Sequence, residues 1–181
     1  MVDDDENVGK VSTEEQRKEV SKLANEAEEW MYDDGYNVDL RTMEAKYLEL
    51  ATPADKVFFR VAQLTARPAA VAALKEKLEK VEELMTKCET THPQITEIER
   101  NDVLAKVEEA KTWLTEKEAE QEKVALSDDP AFNSSQVPLR TKSVESMVSR
   151  LSKKPKPKPP KNNETKAEDD TKAENETIVL P

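Results

Sequence analysis

The chain has 181 residues, of which 37% are charged and 36% hydrophobic, with two glycines, eight aromatics and a formal net charge of −11. That acidity excludes general nucleic-acid binding, because phosphates are repelled except at a local basic patch. The abundance of Ala, Leu, Glu and Lys excludes a sheet protein and suits helices. The one cysteine, Cys88, excludes an internal disulfide, and no apolar run approaches the roughly 18 residues of a membrane span.

Residues 1–11 are an acidic lead-in without periodicity, expected to be disordered. They are the opposite of a signal peptide, so an intact product starting this way would stay in the cytosol. Ser12-Thr13-Glu14-Glu15 fits a capping box with Ser12 as N-cap. Val20, Leu23, Ala27 and Trp30 follow at helical spacing. The helix should stop at Asp33-Asp34-Gly35, where Gly35 supplies the left-handed position that closes many helices.

A second helix should begin near Asp39, a good N-cap residue, with Leu40, Met43, Tyr47 and Leu50 on its face. Thr52-Pro53 is expected to interrupt it, since proline removes a backbone donor and biases its predecessor away from helix. Val57, Phe58, Val61 and Leu64 resume a face, and Arg67-Pro68 is the next expected break. From Pro68 to about Lys87, Val71, Leu74, Leu78, Val81, Met85 and Cys88 give the clearest helical stripe in the chain. Thr90-Thr91-His92-Pro93 should end it. A fourth helix starts from Thr96 or, at the latest, from Asn101, an N-cap candidate; it carries Val103, Val107, Ala110 and Leu114 with Trp113 alongside, and fades near Lys123.

Beyond it lie a turn at Ser127-Asp128-Asp129-Pro130 and a short helix from Ser143 to Leu151. The run Lys153-Lys154-Pro155-Lys156-Pro157-Lys158-Pro159-Pro160-Lys161 must be extended, as a stiff linker, and the polar residues after it are expected to be disordered. The fold class is therefore all-α. An antiparallel helical bundle over 12–126 is followed by a loop and short helix over 127–152 and a disordered tail over 153–181. Its expected core anchors are Trp30, Tyr47, Phe58, Leu74, Leu78, Val81 and Trp113.

No catalytic constellation is present in the sequence. His92 is the one histidine, so His-based triads and multi-His metal sites cannot be built. Cys88 completes an apolar stripe and reads as a buried structural thiol. Two glycines, Gly9 and Gly35, are too few for a phosphate-binding loop. The expectation is no enzyme, no metal and no cofactor within these residues. Three Asn-x-Ser/Thr triplets, at Asn133, Asn163 and Asn175, are candidate glycan acceptors in loop or tail. They point to the secretory pathway, against the acidic start.

The run Glu26-Ala27-Glu28-Glu29-Trp30-Met31-Tyr32-Asp33-Asp34-Gly35, then Lys56-Val57-Phe58-Phe59-Arg60 and Thr65-Ala66-Arg67-Pro68, resembles the C-terminal helical region of the large heat shock protein 70 relatives. These are the 110-kilodalton cytosolic class and the 170-kilodalton glucose-regulated class of the endoplasmic reticulum. Ala110-Lys111-Thr112-Trp113-Leu114-Thr115-Glu116-Lys117, the Asp129-Pro130-Ala131-Phe132 turn and the Lys-Pro tail belong to the same resemblance, which covers about 20–160. Phe58-Phe59-Arg60 followed by Ala69-Ala70-Val71-Ala72-Ala73-Leu74 is closer to the endoplasmic-reticulum branch.

The resemblance implies a chaperone whose ATP-binding and substrate-binding β domains lie upstream, so ATP would belong to the full-length protein alone. It implies unfolded client proteins and a conventional heat shock protein 70-class partner, on which nucleotide exchange is supported. It also implies a luminal location, the cytoplasm being the alternative. This chain departs from the luminal pattern in ending Thr-Ile-Val-Leu-Pro, without a Lys/His-Asp-Glu-Leu signal. The competing reading of the residues is a free-standing cytosolic scaffold that pairs its 71–88 face with another helix.

Overall fold

A computed structural model describes residues 6–156. Five α-helices account for most of them: α1 (Glu6–Val11), α2 (Glu14–Asp33), α3 (Leu40–Thr91), α4 (Glu97–Gln121) and α5 (Lys142–Ser152). There is no strand among the described residues, so the all-α expectation is met. The structure divides into two compact units. Of the described residues, unit 1 comprises 6–71 and 115–134, and unit 2 comprises 72–114 and 135–156.

Unit 2 is a closed three-helix core. Lys111 of α4 pairs with Glu82 of α3 at 2.5 Å, and the short loop from His92 to Thr96 turns the chain between these antiparallel neighbours. The third member is α5, antiparallel to α4. Arg140, just before it, sits over the Trp113 ring, and Lys154, just after it, reaches Glu99 at 2.7 Å. Leu74, Leu78, Val81, Met85 and Cys88 face inward from α3 and are 0–3% exposed. Val103, Val107, Ala110 and Leu114 meet them from α4, and Val144, Val148 and Leu151 from α5. The stripe spacing explains this: i, i+3/i+4 and i+7 positions lie on one side of a helix and must be covered together.

Unit 1 is built differently. Its buried apolar side chains are fewer: Val8, Val11, Val20, Ala51, Val57 and Phe132. A polar hub around Arg60 supplements them. Arg60 is 8% exposed, its guanidinium donates to Asp129 Oδ1 at 3.1 and 3.2 Å, and Nη1 donates to the Val11 carbonyl and to Gln16 Oε1. Gln63 takes the Ser134 N–H at 2.7 Å. Arg67 donates to Gln121 at 3.0 Å and lies over the Phe132 ring.

Several expectations need correction. The lead-in is not wholly irregular: α1 forms, because Val8 and Val11 pack with Val57 at one end of unit 1. The N-cap of α2 is Thr13 and not Ser12, boxed with Gln16 and not Glu15. Ser12 is otherwise engaged, donating to the Val8 carbonyl and accepting from Arg17. Gly35 opens a short 3-10 turn and has no left-handed φ. Its lack of a side chain matters for contact, since a Cβ there would stand 3.3 Å from the Trp30 carbonyl and 3.4 Å from its ring.

Neither Pro53 nor Pro68 breaks α3, which runs unbroken for 52 residues. Each proline deletes one donor and strains one turn, a cost of about 3 kcal/mol at most positions. The burial of Ala51, Val57 and the Arg60 hub around them offsets it. The helix also holds a stretch long and apolar enough, by length and composition alone, to pass for a membrane span, although no uninterrupted apolar run of that length exists in it. Arg60, Gln63 and Arg67 interrupt that stretch, and their hydrogen bonds close inside unit 1.

Candidate interaction surface

Of the expected core anchors, Leu74, Leu78 and Val81 are buried at 3%, 1% and 2% exposure. Trp30 and Trp113 are half-buried. Tyr47 and Phe58 are at the surface, 67% and 53% exposed. The error at Phe58 is one of phase: Val57 and Arg60 take the inner positions of that turn, which turns Phe58 outward. At Tyr47 the side chain does lie on the face towards α2, but the two helices leave a cleft there instead of closing on it.

That cleft is the most distinctive surface of unit 1. α2 and the first part of α3 run antiparallel, tied at one end by the Arg60–Gln16 bond and at the other by the turn at Gly35–Asn37. Near the turn, Ala27, Trp30, Met31, Met43, Tyr47 and Leu50 line an apolar groove of about 370 Å³. Towards the hub, Leu23, Leu48, Thr52, Pro53 and Val57 line a second, of about 580 Å³, with Glu19, Glu49 and Lys56 at its edge. Asp39 starts α3 by accepting the Thr42 N–H at 2.8 Å, and that bond holds its carboxyl below the usual range.

Groups with reactive potential lie elsewhere and are occupied structurally. Cys88 is wholly buried, which pushes its thiol up, with Arg100 opposing. His92 is half-buried and its Nδ1 is 2.8 Å from Thr91 Oγ1. No three of His, Cys, Asp and Glu gather into a metal-holding group among the described residues. Asn133 is half-buried beside the Gln63–Ser134 bond. Asn163, Asn175 and the tail beyond Lys156 lie outside the described residues. The polar hub and the open cleft are what sequence periodicity missed. An arginine inside an apolar run was the one signal for the first, and there was none for the second.

Residues 76–155, a span that takes in most of the described part of unit 2 together with residues 115–134 of unit 1, match the HYOU1-like, C-terminal domain family. Heat shock 70 kDa protein 17 of Arabidopsis thaliana is 32% identical over 159 residues, covering 88% of this chain and 18% of its own length. Chicken hypoxia up-regulated protein 1 is 32% identical over 161 residues, covering 84% and 16%. The chain belongs to the large heat shock protein 70-superfamily chaperones, in their C-terminal helical region. Human heat shock 70 kDa protein 4L, at 25% identity over 152 residues, extends the likeness to a further member. The chain spans less than a fifth of the length of these relatives. No solved structure matches it. The matched residues include most of the closed bundle, and the residues that line the cleft precede them in the chain.

Proposed function

We propose that this region serves a large heat shock protein 70-type chaperone without catalysing a reaction itself. It helps to hold unfolded clients and supports nucleotide exchange on a conventional partner chaperone. The match of residues 76–155 to the HYOU1-like domain carries this reading, and the exposed apolar side chains of unit 1 favour client contact. ATP would be bound by an upstream domain and not by this chain, whose two glycines offer no phosphate cradle. Two measurements on the full-length protein test the reading: the rate of nucleotide release from the conventional chaperone, and suppression of a client's aggregation. Deleting the helical region should reduce both, and a deletion that alters neither overturns the reading.

The proposed compartment is the endoplasmic reticulum lumen, on the resemblance to the glucose-regulated branch and on the three glycan-acceptor triplets. In that case Asn163 and Asn175 carry glycans, seen as a mass shift that an endoglycosidase removes. Asn133, half-buried in the folded unit, is modified less. Full-length protein from its own host with all three asparagines bare would favour the cytosolic class.

A further inference from the structure

We propose that the outer side of α5, with Lys153 and Lys156 just beyond it, is a docking surface for an acidic, extended polypeptide segment of another protein. The proposal goes beyond the client and nucleotide-exchange reading and does not rest on it. It starts from an uneven distribution of charge. Residues 138–156 carry six lysines and arginines against one carboxylate, whereas the rest of the chain carries twenty-two against thirty-eight.

Helical spacing gives α5 two sides. Val144, Val148 and Leu151 turn into the bundle and are 1%, 1% and 3% exposed. Lys142, Ser146, Ser149 and Lys153, at i, i+4, i+7 and i+11, lie on the opposite side with Arg150 beside them. The three cations of this side are exposed, as is Lys156. Glu145, the one carboxylate of the segment, stands at its border. Hydrogen bonds from Lys77 of α3 and from Thr141 lower its carboxyl, with Lys142 adding at longer range. Glu99 of α4, the other carboxylate that the segment touches among the described residues, is held by Lys154 at 2.7 Å. Lys77 and Lys154 thus answer both carboxylates, and Lys142, Arg150, Lys153 and Lys156 enter no ion pair among the described residues. Helix chemistry accounts for only part of this. Arg150 in the last turn complements the helix dipole, but Lys142 in the first turn opposes it.

The shape of the charge selects the partner. From Lys142 to Lys153 it forms a line of about 16 Å, which roughly five residues of extended chain would follow. A short acidic segment on that line stays within the range of about 10 Å over which exposed charges act at 0.1 M salt. A broad polyanion would also meet α3 and α4, where residues 72–114 carry ten carboxylates against seven cations. α5 has no apolar side left to insert into a membrane, since the bundle takes it. Trp113, the one aromatic among the described residues of unit 2, is covered by Arg140 and offers no platform for a base.

Fluorescein-labelled peptides and the full 181-residue chain test this by anisotropy. One peptide of about ten residues alternates Asp and Glu with Gly and Ser, and a second replaces the acids with Asn and Gln. The acidic peptide should bind saturably at about 0.05 M salt, at least about tenfold more tightly than the neutral one, and the lead should shrink by about 0.5 M. Lys142→Gln, Arg150→Gln and Lys153→Gln together should weaken it about fivefold or more. Lys80→Gln, Lys87→Gln and Lys106→Gln remove the same charge from lysines already paired with Glu76, Glu83 and Glu109, and should weaken it less than about twofold. Arg150→Glu alone should weaken it about twofold or more, a readout that stands even where the triple variant melts early.

No saturable binding of the acidic peptide, or equal losses from the two triple variants, would overturn the proposal. So would tighter binding, lost in the first triple variant, of vesicles of phosphatidylserine and phosphatidylcholine at about 3:7, or of a short single-stranded DNA. A rise of about tenfold or more in peptide affinity when Glu168→Gln, Asp169→Asn and Asp170→Asn neutralise the tail would also overturn it, since the occupant would then be this chain's own acidic segment.

Discussion

Unit 1 and unit 2 are made of the same kinds of residue, on shared helices, and use them in opposite ways. In unit 2 three apolar stripes meet and leave little outside: among its described residues only Ile98 and Leu139 are large and exposed. Unit 1 holds nine of the eleven exposed large hydrophobics among the described residues, including Met31, Tyr36, Tyr47 and Phe59, and relies on an arginine hub for part of its cohesion. A closed bundle spends its apolar surface on stability. An open hairpin keeps that surface available to a partner, which is the usual meaning of an exposed apolar patch.

The contrast would be broken most sharply by truncations in the two units. Leu78→Ala in the closed core, at 1% exposure, should cost about 2–5 kcal/mol, read as a lower urea midpoint. Tyr47→Ala on the open face, 67% exposed, should change stability by no more than about 0.5 kcal/mol. Comparable losses at the two sites would mean that the cleft closes in solution.

Next in size is Arg60→Ala. It strips a buried cation from Asp129, Gln16 and the Val11 carbonyl, and a loss of roughly 2–3 kcal/mol is expected, together with faster amide exchange in α1. Unchanged exchange at Val8 and Val11 would show that α1 does not depend on the hub. Arg140→Ala removes a guanidinium 4.3 Å from the Trp113 ring centre. A thermal midpoint lower by a few degrees, from about 0.5–1 kcal/mol, is expected, along with altered Trp fluorescence.

The smallest effect concerns pH. Glu99 accepts from Lys154 and from the Thr96 N–H, which lower its carboxyl to about 2. The folded value lies below the ordinary one. The contribution is therefore complete above the unfolded carboxylate range and fades as pH falls through that range toward about 2. A carbon-13 titration should place Glu99 near 2, and Lys154→Met should return it toward ordinary values. A Glu99 that titrates like its exposed neighbours would remove the pin between α5 and the start of α4.

What periodicity could show in advance, it showed best in unit 2. The stripe from Val71 to Cys88 and the face from Val103 to Leu114 follow from 3.6-residue geometry, and burial follows wherever a stripe has a neighbour. Local rules were less reliable at the joints. Pro53 and Pro68 read as helix ends because a proline's local cost is visible in sequence, whereas the packing that offsets it is not. Gly35 read as a left-handed cap because the approach of the Trp30 ring cannot be seen in a string of residues.

Spacing and residue type along the chain suffice for the helical class, the inward stripes of unit 2, the N-cap at Asp39 and the resemblance to a large heat shock protein 70 tail. The tertiary structure alone decided that Arg60 would be buried and bonded, that Phe58 would face solvent and that Tyr47 would line an open trough. An apolar face carries the same pattern whether or not another helix covers it, and only the arrangement of the helices says which faces are left open.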